Sequence, residues 1–233
     1  MSITQLRPRL YRMELGRYQA YLWRDGDSVT LIDTGEVGSG PAIAAGLAGL
    51  GLNPGHLDRI VLTHFHDDHT GSAAELTSWG AVEVVAHERD APIIRGERPG
   101  PPPNFTDFER ELHAQVAAGL APAPPVRVDR EVRDGDLLDF GGGAQVLATP
   151  GHTDGSLALY LPAHGVLFTG DIVAEHSGEV MLGVFNLDRE VTADSFRRLA
   201  GLDVDVACFG HGEPVVGDAA ARLREASAKL DAT

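Results

Sequence analysis

Seven histidines and aspartates stand in short, turn-like contexts: His64-x-His66-x-Asp68-His69, then His152 in Thr-Pro-Gly-His-Thr, Asp171 in Thr-Gly-Asp and His211 in Gly-His-Gly. Imidazole nitrogens and carboxylate oxygens are suitable zinc ligands, whereas so dense a cluster without metal would have to stay neutral and find many hydrogen-bond partners. The reading is therefore a metal site. His64 and His66, two residues apart, can project to one side of an extended segment; Asp68 and His69, at the start of the next helix, are offset and can serve a neighbouring point. Each candidate follows a hydrophobic run, so each lies where a strand gives way to a turn, the usual place for sites in α/β folds.

The elements that must hold these turns can be read from pattern. Tyr18 to Trp23 and Val29 to Ile32 flank Asp25-Gly26-Asp27, a hairpin signature, because Asp and Gly tolerate positive φ. Pro41 suits the first turn of a helix ending near Gly49 or Gly51, and Arg59 to Thr63 reads as a short buried strand leading directly into His64. A helix is expected from Thr70-Gly71-Ser72 through Trp79, then a strand from Ala81 to Ala86. Downstream, an Asp134-Gly135-Asp136 turn precedes strands at Ala144 to Ala148, Leu157 to Leu161, Val166 to Phe168 and Val204 to Phe209. Helices are expected at Thr192 to Leu199 and Asp218 to Leu230. Two groups of strands with helices outside each predict layered α/β packing.

Residues 88–125 differ in composition. Pro99, Pro101, Pro102 and Pro103 precede a predicted helix from Thr106 to Leu120, and Pro122, Pro124 and Pro125 follow it; Thr106 with Glu109 forms a capping-box pair. This segment reads as a Pro-flanked lid inserted into a single domain spanning 1–233, with Phe105, Phe108 and Leu112 shaping an apolar pocket or packing the lid helix itself. The apolar stripe of that helix serves a homodimer face or lid packing equally well.

With 233 residues, 43% hydrophobic and 23% charged, the chain has the make-up of a soluble domain, without the apolar length of a membrane span. A net charge of -15 with no basic stripe argues against nucleic-acid partners and leaves a small molecule as the expected one. The polar, basic stretch from Met1 to Tyr11 shows no secretory h-region, so a cytoplasmic location is expected. The one cysteine, Cys208, excludes an internal disulfide and a thiolate-rich metal site, and Val206-Ala207-Cys208-Phe209 reads as a buried strand.

His64-Phe65-His66-Asp67-Asp68-His69 matches H-x-H-x-D-H, and with the later residues the chain resembles the metallo-β-lactamase-fold superfamily over nearly its whole length. That resemblance implies an αββα sandwich, with His64, His66 and His152 on one metal ion, Asp68, His69 and His211 on a second, and Asp171 bridging them. Two divalent ions, zinc above all, with manganese or iron as alternatives, would share a water, lower its pKa toward about 7 and polarise a carbonyl or phosphoryl oxygen. Asp68 would orient that hydroxide and pass a proton to the leaving group. Asp33 corresponds to the acidic residue of the superfamily's first motif and either supports a ligating histidine from behind or caps the Thr34-Gly35 turn. Asp67 is expected to face solvent or cap the next helix. His176 is a candidate for the pocket, while His56, His87, His113 and His164 match no motif.

Within the superfamily, the chain resembles the glyoxalase II and lactonase branch. It departs from glyoxalase II in having little beyond His211, and from acyl-homoserine lactonases in placing Ala174 where they typically carry a tyrosine. Asp171 separates it from zinc β-lactamases. The expected activity is dinuclear hydrolysis of a small ester, thioester or lactone. The alternatives are a mononuclear iron persulfide dioxygenase, which would share His64, His66, His69, His152 and Asp171, and a non-catalytic metal-binding module, which would show a closed coordination shell.

Overall fold

A computed structural model describes residues 2–230. Its first sheet is made of β1 (Ile3–Arg7), β2 (Leu10–Leu15), β3 (Tyr18–Asp25), β4 (Ser28–Ile32), β5 (Leu57–Val61), β6 (Glu83–His87) and β7 (Arg130–Val132), in that spatial order. β1 to β4 run antiparallel through tight turns, and β4 to β7 are parallel. The downstream strands are β8 (Leu137–Leu138), β9 (Ala144–Ala148), β10 (Leu157–Leu161), β11 (Val166–Phe168), β12 (Val173–His176), β13 (Glu179–Leu182), β14 (Val206–Cys208) and β15 (Val215–Val216). Six of them form a second sheet ordered β15-β14-β11-β10-β9-β8, and β12 with β13 forms a separate hairpin.

Because side chains alternate across a strand, β3 sends Tyr21 and Trp23 to one face and Ala20 and Leu22 to the other, all buried. Tyr21 and Trp23 join Ile32, Val61 and Val85 against Val146, Leu159 and Phe168, filling the space between the sheets. Leu22, Leu31 and Ile60 pack outward against Ile43 and Leu47 of α1 (Gly40–Gly49). Leu167 and Ala207 do the same against Phe196, Leu199 and Leu223 of two later helices. Strands buried on both faces need continuous apolar runs, as seen here. The result is the expected α/β sandwich in four layers, αββα.

The helix expected to start at Thr70-Gly71-Ser72 and run through Trp79 is α3 (Ala73–Leu76) followed by a 3-10 turn at 77–79, with a separate single turn, α2 (Asp67–Thr70), before it. The break falls at Gly71 and Ser72. The Ser72 hydroxyl donates to the Glu36 carbonyl, and its amide turns to Thr34 Oγ1, which ties the chain to the turn after β4 instead of to a preceding helical turn. After α4 (Ala91–Ile94), the predicted lid helix is α5 (Asp107–Val116), capped by the Thr106–Glu109 box. It stops four residues early, and Gly119 beyond it has φ of +86°. α6 (Arg189–Ala200) and α7 (Ala219–Lys229) cover the second sheet. Local sequence pattern does not mark β1 and β2, the short strands β7, β8 and β15 or the β12–β13 hairpin. Among the described residues, no helix is long and apolar enough to cross a membrane.

Candidate metal centre

β4, β5, β9, β11 and β14 end at one edge of the sandwich and deliver Asp33, His64, His152, Asp171 and His211 respectively into the turns that follow. His66 stands at the N-terminal boundary of α2, which carries Asp68 and His69. All seven residues predicted as ligands meet at this edge. His64 Nε2 and His152 Nε2 each lie 3.0 Å from His66 Nδ1. Beside them, His211 Nε2 is 3.3 Å from Asp68 Oδ2, and His69 Nε2 is 3.8 Å from the same oxygen. Asp171 stands between the two groups: Oδ1 is 3.4 Å from His69 Nε2, and Oδ2 is 3.2 Å from His211 Nε2 and 3.7 Å from His152 Nε2.

Donor atoms around one tetrahedral ion at zinc-ligand distances lie about 3.3 Å apart, so these separations fit a shared ion. His69 Nε2 and Asp171 Oδ1 are buried and have no hydrogen-bond partner among the described residues, an arrangement that is costly unless a cation receives both lone pairs. Gly210 sharpens the point: a Cβ there would collide with Asp171 Oδ1 and His69 Cε1, so only glycine lets His211 follow so closely. The donor set fits divalent metal ions.

Hydrogen bonds at the far side of each ring decide which nitrogen faces the centre. The Thr63 hydroxyl gives its proton to Asp33 Oδ2 at 2.8 Å and so accepts from His64 Nδ1 at 3.0 Å. His69 Nδ1 donates to Asp33 Oδ2 at 2.9 Å, and His152 Nδ1 donates to Asn186 Oδ1 at 3.3 Å. Three Nε2 lone pairs are thereby turned inward. Asp33 is buried and supports His69; it also accepts the Thr63 amide, and its φ of +61° shows the left-handed turn it occupies.

Burial, then the neighbouring imidazoles, holds His64 well below the ordinary histidine range. Burial and His152 push His66 down to about 3, and burial also lowers His152. These three rings stay neutral and able to ligate. Burial also opposes charge on His69 and His211, but Asp171 and Asp68 outweigh it, raising His69 well above its usual value and His211 to about 10. Burial opposes the charge of Asp68 too, yet His69 and His211 bring it down to about 2. The negative field that draws protons to His69 and His211 is the field a divalent ion would meet, so metal and protons compete there.

Some predicted residues behave differently. Asp67 neither faces solvent freely nor caps a helix: its Oδ1 accepts the Ala123 amide at 2.7 Å, pinning the chain after α5 beside His66. His176 is exposed at the end of β12. Phe105 packs edge-on to Phe185 and against His113, and Phe108 is 70% exposed, so the lid aromatics do not form the expected pocket. The reason is that α5 meets the rest of the chain through polar atoms, Asn104 and Glu109 bonding the backbone at Phe185 to Leu187. Asn186 and Asp90 belong to the site without standing in any of its motifs. Asp90 is buried; it accepts from the Phe65 amide, the Thr153 hydroxyl and the Gly155 amide, which binds the His64–His66 turn to the His152 turn. No spacing signal marks either residue, since each acts on a turn remote in sequence.

Comparisons with known proteins agree with this geometry. The family model "Metallo-beta-lactamase superfamily" matches residues 14–211. The chain is 32% identical over 178 residues to YflN, a probable metallo-hydrolase of Bacillus subtilis (strain 168), covering 69% of this chain and 66% of that one. It is 31% identical over 197 residues to a hydroxyacylglutathione hydrolase of Rhodobacter capsulatus, covering 82% of this chain and 61% of the relative. Among solved structures, a metallo-beta-lactamase family protein of Thermus thermophilus superposes with a TM-score of 0.71 at 29% identity, over 98% of this chain and 81% of its own. With fold, site geometry and family match in accord, this chain belongs to the metallo-beta-lactamase superfamily, a family of hydrolases.

Proposed function

We propose that the chain is a dinuclear metal-dependent hydrolase of a small ester, thioester or lactone, working in the cytoplasm on a diffusible substrate. The observation that carries this reading is the pair of donor groups on either side of Asp171, with the buried lone pairs of His69 Nε2 and Asp171 Oδ1 facing one another. A single-ion site, as in the dioxygenase alternative, would leave Asp68 and His211 without a task. Two divalent ions would supply a more acidic water and a Lewis acid for the substrate carbonyl. Zinc, manganese and iron all accept such N/O donors: imidazole suits zinc and iron alike, and carboxylate oxygens suit manganese.

The protein's own part is positional. Thr63, Asp33 and Asn186 fix three ring orientations, and Asp90 keeps the two histidine turns together. Asp68, ionised at neutral pH, accepts a hydrogen bond from the attacking water. As the acyl–oxygen or acyl–sulfur bond breaks, it hands the released proton to the leaving group.

The test is turnover by purified protein on a panel of a small ester, a thioester and a lactone, before chelation, after chelation and after zinc is restored. Hydrolysis that disappears with chelation and returns with zinc supports the reading; no hydrolysis, with oxygen consumed on a persulfide in the presence of iron, contradicts it.

A further inference from the structure

A cavity of about 340 Å³ opens beside the metal centre, sharing His66 with it. Phe65, Ile93, Pro125 and Val126 give it apolar walls, and Arg98 lies on its exposed side. Backbone contacts build this space. The Val126 amide donates to the Ile94 carbonyl, and Asp67 holds the Ala123 amide next to His66. Gly100 lets the strap cross the Phe65 ring, because a Cβ at that position would strike the ring.

Charge gives the cavity a direction. Asp67 stands at the end shared with His66 and disfavours an anion there. Arg98 donates to the Arg89 carbonyl at 2.9 Å and has no carboxylate partner among the described residues, although the chain carries a net charge of -15. An unneutralised guanidinium on the exposed side of a cavity with mixed polar and apolar walls suits the far end of a negatively charged chain.

We propose that this cavity is the acyl pocket of the enzyme, taking an acyl group that is apolar beside the reacting carbonyl and anionic at its far end, where it pairs with Arg98. This rests on the hydrolase reading above. In it, the scissile carbonyl sits at the metal centre and the acyl chain runs past His66 toward Arg98.

The experiment uses the full zinc-loaded chain with p-nitrophenyl acetate, p-nitrophenyl hexanoate and mono-p-nitrophenyl adipate, alongside calorimetric binding of adipate and hexanoate. Filling the cavity with Ile93→Trp should lower the kcat/KM ratio of the hexanoate and adipate esters to the acetate ester by about tenfold or more. Arg98→Glu, a surface change that does not challenge folding, should lower the adipate-to-hexanoate ratio by about tenfold, with zinc content as in the parent protein. Ratios unmoved in both variants overturn the pocket while leaving the hydrolase reading standing; an adipate preference untouched by Arg98→Glu overturns the anionic assignment. If no ester is turned over, the hydrolase reading fails by itself, and calorimetry then decides: adipate binding weakened by Arg98→Glu supports the pocket, and equal binding overturns it.

Discussion

Asp33 Oδ2 lies 2.9 Å from His69 Nδ1 and 2.8 Å from Thr63 Oγ1, so one buried carboxylate oxygen orients two candidate ligands, His69 directly and His64 through the threonine. Asp33→Asn keeps the left-handed turn, which asparagine tolerates, but it offers one accepting oxygen in place of two. Zinc affinity measured by chelator competition should fall about 10- to 100-fold with the secondary structure intact. An unchanged affinity would reduce Asp33 to a turn residue.

Asn186 plays the matching part for His152. Removing its acceptor with Asn186→Leu leaves the His152 ring free to turn and strands a buried N–H. A loss of about tenfold in zinc affinity is expected, concentrated on one of two ions. Equal weakening of both ions would place the residue's effect in the loop and not in the ring.

Asp68→Asn separates chemistry from ligation. If Asp68 orients water and relays a proton, turnover should drop by about 100-fold or more while KM moves little. A loss of activity that only parallels a loss of metal would make Asp68 a ligand and nothing more.

Asp90 makes stability depend on pH. Burial raises its pKa to about 6 from an ordinary value of 3.8, against the lowering effect of Thr153, Gly155 and Phe65. A carboxyl group whose folded pKa is raised binds more protons folded than unfolded, so its contribution is largest below about pH 4 and declines as pH rises toward about 6. Two units correspond to about 3 kcal/mol. Denaturant midpoints of metal-free protein should show the stability advantage over Asp90→Asn shrinking by about that amount between pH 4 and pH 7; a constant advantage would contradict the assignment.

The seven donors were legible because each follows a hydrophobic run and carries its own short signature, and because strands that end at one edge must bring those turns together. The layers were legible for the same reason, since alternation in Tyr18 to Trp23 and the Ala-Leu run after Pro41 act locally. What escaped depends on tertiary contact. Asp90 and Asn186 bond to turns 63 and 34 residues away in sequence, respectively. α5 has an amphipathic pattern yet buries Glu109 and leaves Phe108 exposed. α2 stays a separate turn ahead of α3 because Thr34 takes the Ser72 amide, a partner that no local pattern reveals.

Metal stoichiometry tests the central claim most directly. Elemental analysis of protein purified without added metal, compared with His152→Ala and His211→Ala, should give about two divalent ions per chain for the parent and about one for each variant. One ion in the parent, retained in full after His211→Ala, would contradict a two-ion centre.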